Sequence, residues 1–393
     1  MSEPCALIGI LDDGWSGLSA QAHARLAAVN PAAYARTRNA LDGAVTRLSP
    51  YLTHGLLSLR EVFDAVNARH PLDPQHKFVF ELGWRAYYRH VWEHLGDGIH
   101  QSLHAGLLPD SAYAPDMPAD VLEGRTGIPV IDLAVRALYE TGYVHNHARM
   151  WLASYLVHLR KVHWHAGAQW MLGHLLDGDV ASNHLSWQWV AGTSSTKPYL
   201  FNADNVAKYA PALWHSPGTV MDTSYEALDH MARNAASVRS HSDPALSGTL
   251  QPTLQAMPPE GAWSAPDDTV ANGRDVWLVH PWSLGTVAQP RPAGALVIAV
   301  GFAASHRHMP WNARRWHFVT QGLRAQAAHL WWGETADIAQ ALRGARTVTW
   351  QPDPHVPNLP WATHVHLPSP LFATVDTYCP SFAQWWRRTR VLP

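Results

Sequence analysis

Cysteine is almost missing from these 393 residues: Cys5 and Cys379 are the whole supply. That excludes a disulfide framework and any zinc or iron–sulfur site built on thiolates. Lysine is nearly as scarce, with only Lys77, Lys161, Lys197 and Lys208. Arginine, the better fork for phosphates and carboxylates, carries the remaining positive charge. Charged residues make up 15% and sum to −2, which argues against a general polyanion-coating protein but leaves room for a local basic groove. No run of about 18 uncharged apolar residues occurs, so no membrane span is expected. The N-terminus has no basic region, and its apolar run, 6–11, stops at Asp12-Asp13. No signal peptide is read from it, and the expectation is a soluble, cytoplasmic monomer. The sequence also lacks a Gly-x-Gly-x-x-Gly string, a P-loop and any internal repeat.

Apolar and aromatic residues are plentiful. Hydrophobic residues reach 47%, enough for a large core and against disorder. The length suggests two or three domains at roughly 100–200 residues each. There are 20 tryptophans and 26 histidines. A buried indole needs a partner for its N–H, so the tryptophans read first as core. Some of them also suit the neighbourhood of a planar cofactor or a path for electrons.

Residues 1–235 read as helical. Leu56–Val66 and Phe78–Leu95 carry apolar residues at three- and four-residue spacings. Pro129 starts a helix that Thr141-Gly142 ends; another runs from His145 to Arg160, and a short one covers Trp170–Leu176. Residues 236–272 have the Ala, Ser, Pro and Gly composition of a linker. Within 273–393, Val276–Val279, Ala295–Val300, Leu330–Trp332, Thr347–Trp350 and Val365–Leu367 read as buried strands, with helices over Trp311–Ala328 and Ala336–Ala345. The fold class is therefore an all-helical domain followed by a smaller α/β domain with a parallel sheet.

Four strings carry chemistry. Asp177-Gly178-Asp179 precedes a helix on which Asn183 shares a face with Asp179, and Trp187 and Trp189 follow. Asn146 and Arg149 are neighbours at i and i+3, suited to a polar ring edge. His145 and His147, two apart, would diverge on a helix; with no third ligand evident, no metal is expected. Thr46-Arg47-Leu48-Ser49-Pro50 sets hydroxyls and amides before a proline-started helix, a cradle for phosphate. Glu81 and Arg85, at i and i+4, have the spacing of an ion pair.

In this order, over roughly Tyr34 to Asn202, these strings resemble the flavin-binding helical domain of the DNA photolyase and cryptochrome family. The resemblance implies FAD as cofactor. Tyr34, Thr46, Leu48, Ser49 and Arg85 would hold its phosphates and adenine side; Asn146, Arg149, Asp177, Asp179 and Asn183 would surround the isoalloxazine and ribityl. It also implies a pocket for a flipped pyrimidine dimer, lined by Glu81, Trp84, Asn146, Met150 and Trp189. Asn146 and Met150 stand where (6-4) enzymes have histidines, so the expected lesion is the cyclobutane dimer. An electron chain would run through Trp187, Trp164 and Tyr113, the last in a place the family gives to tryptophan. His147 replaces a usual arginine and Ala86 a usual acid, both of which weaken DNA contacts.

The family's α/β domain ordinarily comes first, whereas here only 33 residues precede Tyr34. Val276–His280, Ala295–Phe302, Trp311–Ala328 and Tyr378–Arg388 resemble that domain in order and spacing, so the chain reads as a circular permutation with a shortened antenna-type domain. The implied activity is that of a deoxyribodipyrimidine photolyase, a carbon–carbon lyase acting on damaged DNA, with single strands a candidate form. The alternatives are a cryptochrome-like photosensor and a light-independent flavin oxidoreductase.

Overall fold

The computed structural model describes residues 14–238, 248–285, 291 and 293–393. Cys5 and the apolar run 6–11 lie outside them, as do residues 239–247 of the expected linker.

The longest helix, Lys77–Leu95, buries Phe78, Val79, Leu82, Gly83, Tyr87, His90 and Val91, the three-and-four spacing of an amphipathic face. Pro129–Thr141 runs between its proline and Gly142, whose left-handed φ of 69° closes the last turn. The expected helix from His145 to Arg160 is interrupted. An α-helix covers Asn146–Ser154, with His145 as its cap, and a single π turn, Tyr155–Leu159, replaces the continuation. That wider turn ends at Arg160, which forms a two-pronged pair with Asp120 at 2.7 and 2.9 Å. The helix expected at Trp170–Leu176 occupies Trp164–His174 instead, capped by the His163 ring. Its first turn, Trp-His-Ala-Gly, has no apolar period to reveal it. Val180–Ala191 is buried around most of its circumference and runs through the middle of the helical region.

Among the described residues the sheet has five strands, all parallel: β1 (Asp275–Val279), β2 (Leu296–Phe302), β3 (His329–Gly333), β4 (Thr347–Trp350) and β5 (His364–Val365), in the order β3-β2-β1-β4-β5. Val276 pairs with Leu296 on one side and Val348 on the other, and Ala299 pairs with Leu330. Helices Ala313–Arg324 and Thr335–Ala341 supply crossovers. The protein is thus a helical region followed by a parallel α/β region.

The packing does not stop at that division. One hydrophobic core joins Ala22 to Ile99, together with Leu172, Leu176 and Val180, to the strands of the sheet; a second lies among residues 121–228. Among the described residues, no helix is long and apolar enough to cross a membrane.

Candidate functional site

A cavity of about 670 Å³ opens among the helices of the helical region. Fifteen of the flavin, pocket and electron-chain residues expected from the sequence line it. Tyr34 comes from the Pro31–Thr37 helix, while Thr46, Leu48 and Ser49 form the entry to the Ser49–Thr53 helix. Glu81, Trp84 and Arg85 come from Lys77–Leu95, and Asn146, Arg149 and Met150 from Asn146–Ser154. Asp177 and Asp179 precede Val180–Ala191, which contributes Asn183, Trp187 and Trp189. Segments up to 155 residues apart in the chain therefore converge on one space.

Trp164 and Tyr113 do not line the cavity. Trp164 is buried behind it, its Nε1 donating to Ser102 Oγ at 2.9 Å. Its neighbour Trp187 packs against the same helix so closely that a Cβ at Gly167 would lie 2.4 Å from the Trp187 ring. Tyr113 is further out, reaching Trp164 through His163, with ring centroids 6.3 and 5.8 Å apart in turn.

The spacing of Glu81 and Arg85 does not produce a pair between them. Arg38 stands 3.3 Å from Glu81 and Lys77 stands 4.0 Å from it, whereas Arg85 donates to Thr53 Oγ1 at 2.8 Å and faces Asp179 at 3.9 Å. Arg38 and Tyr143 also line the cavity and were not singled out from the sequence, and Arg47, part of the phosphate-cradle string, was given no role of its own. Arg38 sits just after a short helix, with nothing local to mark it. Tyr143 lies under the Arg149 guanidinium, 5.6 Å from ring centroid to charge. His145 and His147, expected to diverge, both face the cavity because His145 is a cap rather than a helical residue.

Arg149 and Asp177 form the central polar contact. One guanidinium nitrogen donates to both carboxylate oxygens, at 3.0 and 2.8 Å, and Arg149 Nε donates to the Val144 carbonyl. Burial alone would raise the Asp177 pKa, but the Arg149 charge and hydrogen bond outweigh it and hold the group below the usual carboxylate range. Asp179 behaves alike: burial opposes ionisation, and Arg85, His355 and Arg89 overcome it. Asn183 is fixed by an Nδ2–H bond to the Ala168 carbonyl at 2.8 Å, which sets the direction of its amide oxygen. His147 is pushed down to about 4 and His145 to about 3 by burial and neighbouring charge, so both are neutral near pH 7. The cavity lining therefore sets Arg38, Arg47, Lys77, Arg85 and Arg149 against Glu81, Asp177 and Asp179. The cationic excess, beside a buried carboxylate and amides, fits a ligand with phosphates at one end and a polar planar ring at the other.

The α/β region holds this site in place from behind. The Val180 N–H donates to His355 Nε2 at 3.2 Å, and the other nitrogen of that ring contacts Asp353 Oδ1 at 2.6 Å. Asp353 in turn accepts from Arg89 at 3.0 Å. Arg315, fully buried on Ala313–Arg324, donates to the carbonyl of Gly178, the residue between the two aspartates, at 2.7 Å. Gly178 has no room for a side chain: a Cβ there would sit 2.5 Å from Arg315 Nη1.

A helical cavity with this donor set suits a dinucleotide that carries a polar planar ring. Residues 78–216 match the FAD binding domain of DNA photolyase. A deoxyribodipyrimidine photo-lyase from Streptomyces griseus is 38% identical over 156 residues, 39% of this chain and 34% of that protein. Cryptochrome DASH from Gloeobacter violaceus is 35% identical over 171 residues, 41% of this chain and 34% of that protein. A solved cryptochrome from Synechocystis sp. PCC6803 overlaps 59% of this chain and 55% of its own, at 26% identity and a TM-score of 0.46. The chain spans 34–44% of the length of the curated relatives it matches. Over residues 78–216 the chain is similar to the FAD-binding domain of the photolyase and cryptochrome family, whose cofactor is FAD.

Proposed function

We propose that this protein is a photolyase-type lyase that splits cyclobutane pyrimidine dimers in damaged DNA. The observation that carries the reading is the meeting of two residue sets in one cavity: Arg149, Asp177 and Asn183, suited to the flavin ring, and Glu81, Trp84, Met150 and Trp189, suited to a flipped dimer. FAD held there, once reduced, would supply the light-driven electron transfer by which the two cyclobutane bonds open, with the electron returned and no net oxidation.

The chain's own part is to bind, orient and exclude water. Arg38, Arg47 and Arg85 serve the phosphates, and the Arg149–Asp177 pair and Asn183 orient the flavin ring. Trp84 and Trp189 offer flat faces to the extruded bases. Glu81, in the neutral form that burial favours and Arg38 and Lys77 oppose, would donate to a thymine carbonyl and stabilise the charge that develops there. Trp187, at the cavity wall, is the entry for electrons that reduce the cofactor, with Trp164 and Tyr113 behind it. We read the helical-then-α/β order as a circular permutation, because the sheet packs against the flavin-facing helices although it follows them in the chain.

One observation favours the photosensor reading. Trp84 is stacked on Phe382 of the Phe382–Arg388 helix, with centroids 4.1 Å apart and planes at 12°, so one face of this indole is covered. The two readings part on flash repair of a thymine-dimer oligonucleotide by fully reduced protein, single- and double-stranded. Repair of either form supports the lyase; none on both forms promotes the sensor.

A further inference from the structure

We propose that His100, His165 and His184 form a binding site for a divalent transition-metal ion, with Zn²⁺ the best match. One nitrogen from each ring lies within 4.8 Å of the others. None of the three lines the flavin cavity. They come from separate elements: His100 ends the 3-10 turn Gly96–His100, His165 opens Trp164–His174, and His184 lies on Val180–Ala191. Three elements thus deliver three imidazoles to one point.

The ring of His184 is oriented as a ligand. It is fully buried, its Nδ1 is 3.1 Å from the Val180 carbonyl, and its Nε2 has no hydrogen-bond partner. An Nδ1–H donated to a backbone carbonyl is the arrangement that fixes a metal-bound imidazole and leaves Nε2 as the lone-pair nitrogen. A buried ring nitrogen with nothing to bond is costly, and a cation removes that cost. Burial also lowers the pKa of all three rings, so each offers a lone pair near neutral pH.

The remaining geometry is compatible. Nitrogens on one tetrahedral zinc stand about 3.3 Å apart, so the rings must close by at most about 1.5 Å. His100 and His165 are only half-buried, which gives them freedom to move and gives the ion a route from solvent. The Gln169 amide is 3.5 Å from His165 Nε2, at the outer limit of a hydrogen bond and readily displaced. Asp97, on the same turn as His100, adds a negative charge that favours a cation. Three nitrogens and no thiolate suit a borderline ion such as Zn²⁺ rather than Ca²⁺ or Mg²⁺, and a solvent molecule completes the shell.

The test is Zn²⁺ titration of the full-length, flavin-loaded protein after chelation and desalting, followed by calorimetry and metal analysis. One Zn²⁺ per chain is expected at this site, with micromolar or tighter affinity. His184→Ala should abolish it. Because His184 is buried, His100→Ala and His165→Ala are measured beside it, with circular dichroism and flavin content to verify the fold. Each should weaken binding at least about tenfold. Co²⁺ should give visible ligand-field bands that vanish in the same variants. The proposal is overturned if the wild type takes up no zinc in the micromolar range. It is equally overturned if folded His100→Ala and His165→Ala proteins bind zinc as the wild type does.

Discussion

Glu81 stands between influences that pull its proton in opposite directions. Burial favours the neutral acid, while Arg38 and Lys77 favour the carboxylate; burial prevails and the pKa is raised. Only the neutral carboxyl can donate to a thymine carbonyl. A raised pKa keeps that form to higher pH than in a free glutamate, and it is lost as pH climbs through the folded value. Repair yield is therefore expected to decline with rising pH, measured by flash repair at fixed flavin reduction. Glu81→Gln, a donor that does not titrate, should flatten that limb, and Glu81→Ala should lower the yield several-fold throughout; an unchanged limb in Glu81→Gln would assign it to another group. The Arg149–Asp177 pair supports a second expectation. Removing one partner of a buried pair costs about 3–5 kcal/mol. Arg149 retains 23% side-chain exposure, so the lower end applies. Asp177→Ala should weaken flavin retention on the order of 100-fold, read from the flavin absorbance after gel filtration. These residues were legible in the sequence because each sits in a short string whose residue types share one chemistry. Arg38 was not, since its partner Glu81 is far along the chain and no local spacing links them.

Elements were legible where their apolar period was intact. All five strands fall within about two residues of the runs read from the sequence, but only β1 and β2 are buried along most of their length: β4 alternates between half-buried and buried residues, and β5, at the sheet edge, is exposed rather than buried as expected. Trp164–His174 was placed six residues late because histidine and tryptophan mask its period. The π turn at Tyr155–Leu159 was invisible, since inserting one residue in a turn leaves the composition unchanged. The misplaced helix matters for electron entry: its first turn carries Trp164 and His165, and Val180–Ala191, packed beside it, carries His184 and Trp187. Trp187→Phe should slow photoreduction of the oxidised flavin by orders of magnitude with flavin binding intact, followed as bleaching under blue light. Tyr113→Phe should matter less, as Tyr113 is the outermost of the three. Trp164 packs edge-on against His165 and His184, at 5.4 and 6.1 Å. A dication held by those rings opposes removal of an electron from the indole. Added Zn²⁺ should therefore slow photoreduction in the wild type and not in His100→Ala; no zinc effect in a zinc-loaded wild type would remove Trp164 from the path.

At the scale of the molecule, the α/β region braces the proposed flavin site although none of its described residues lines the cavity. This was the least legible feature, because every contact that makes it so joins residues more than a hundred positions apart. Arg315 reads in sequence as an ordinary helix arginine. In the fold it is fully buried, lies over the Trp311 ring with its charge 4.0 Å from the centroid, and spends its hydrogen bonds on backbone carbonyls near the aspartates. Burial pushes its pKa down to about 9, a cost that Asp177 and Asp179 partly offset. Such a placement holds the Asp177-Gly178-Asp179 turn in one position, and with it the carboxylates proposed to meet the cofactor. Arg315→Met preserves much of the volume, removes the charge and leaves the Gly178 carbonyl without its donor, a loss of about 1–3 kcal/mol. If that loss falls on the geometry of the turn, flavin affinity should drop about tenfold while circular dichroism stays native. Gly178→Ala should act in the same direction, since its Cβ would displace the guanidinium. Arg314→Met, one residue earlier and exposed, is the control and should leave affinity unchanged. Equal flavin affinity in Arg315→Met and wild type would mean that the α/β region packs against the site without setting it.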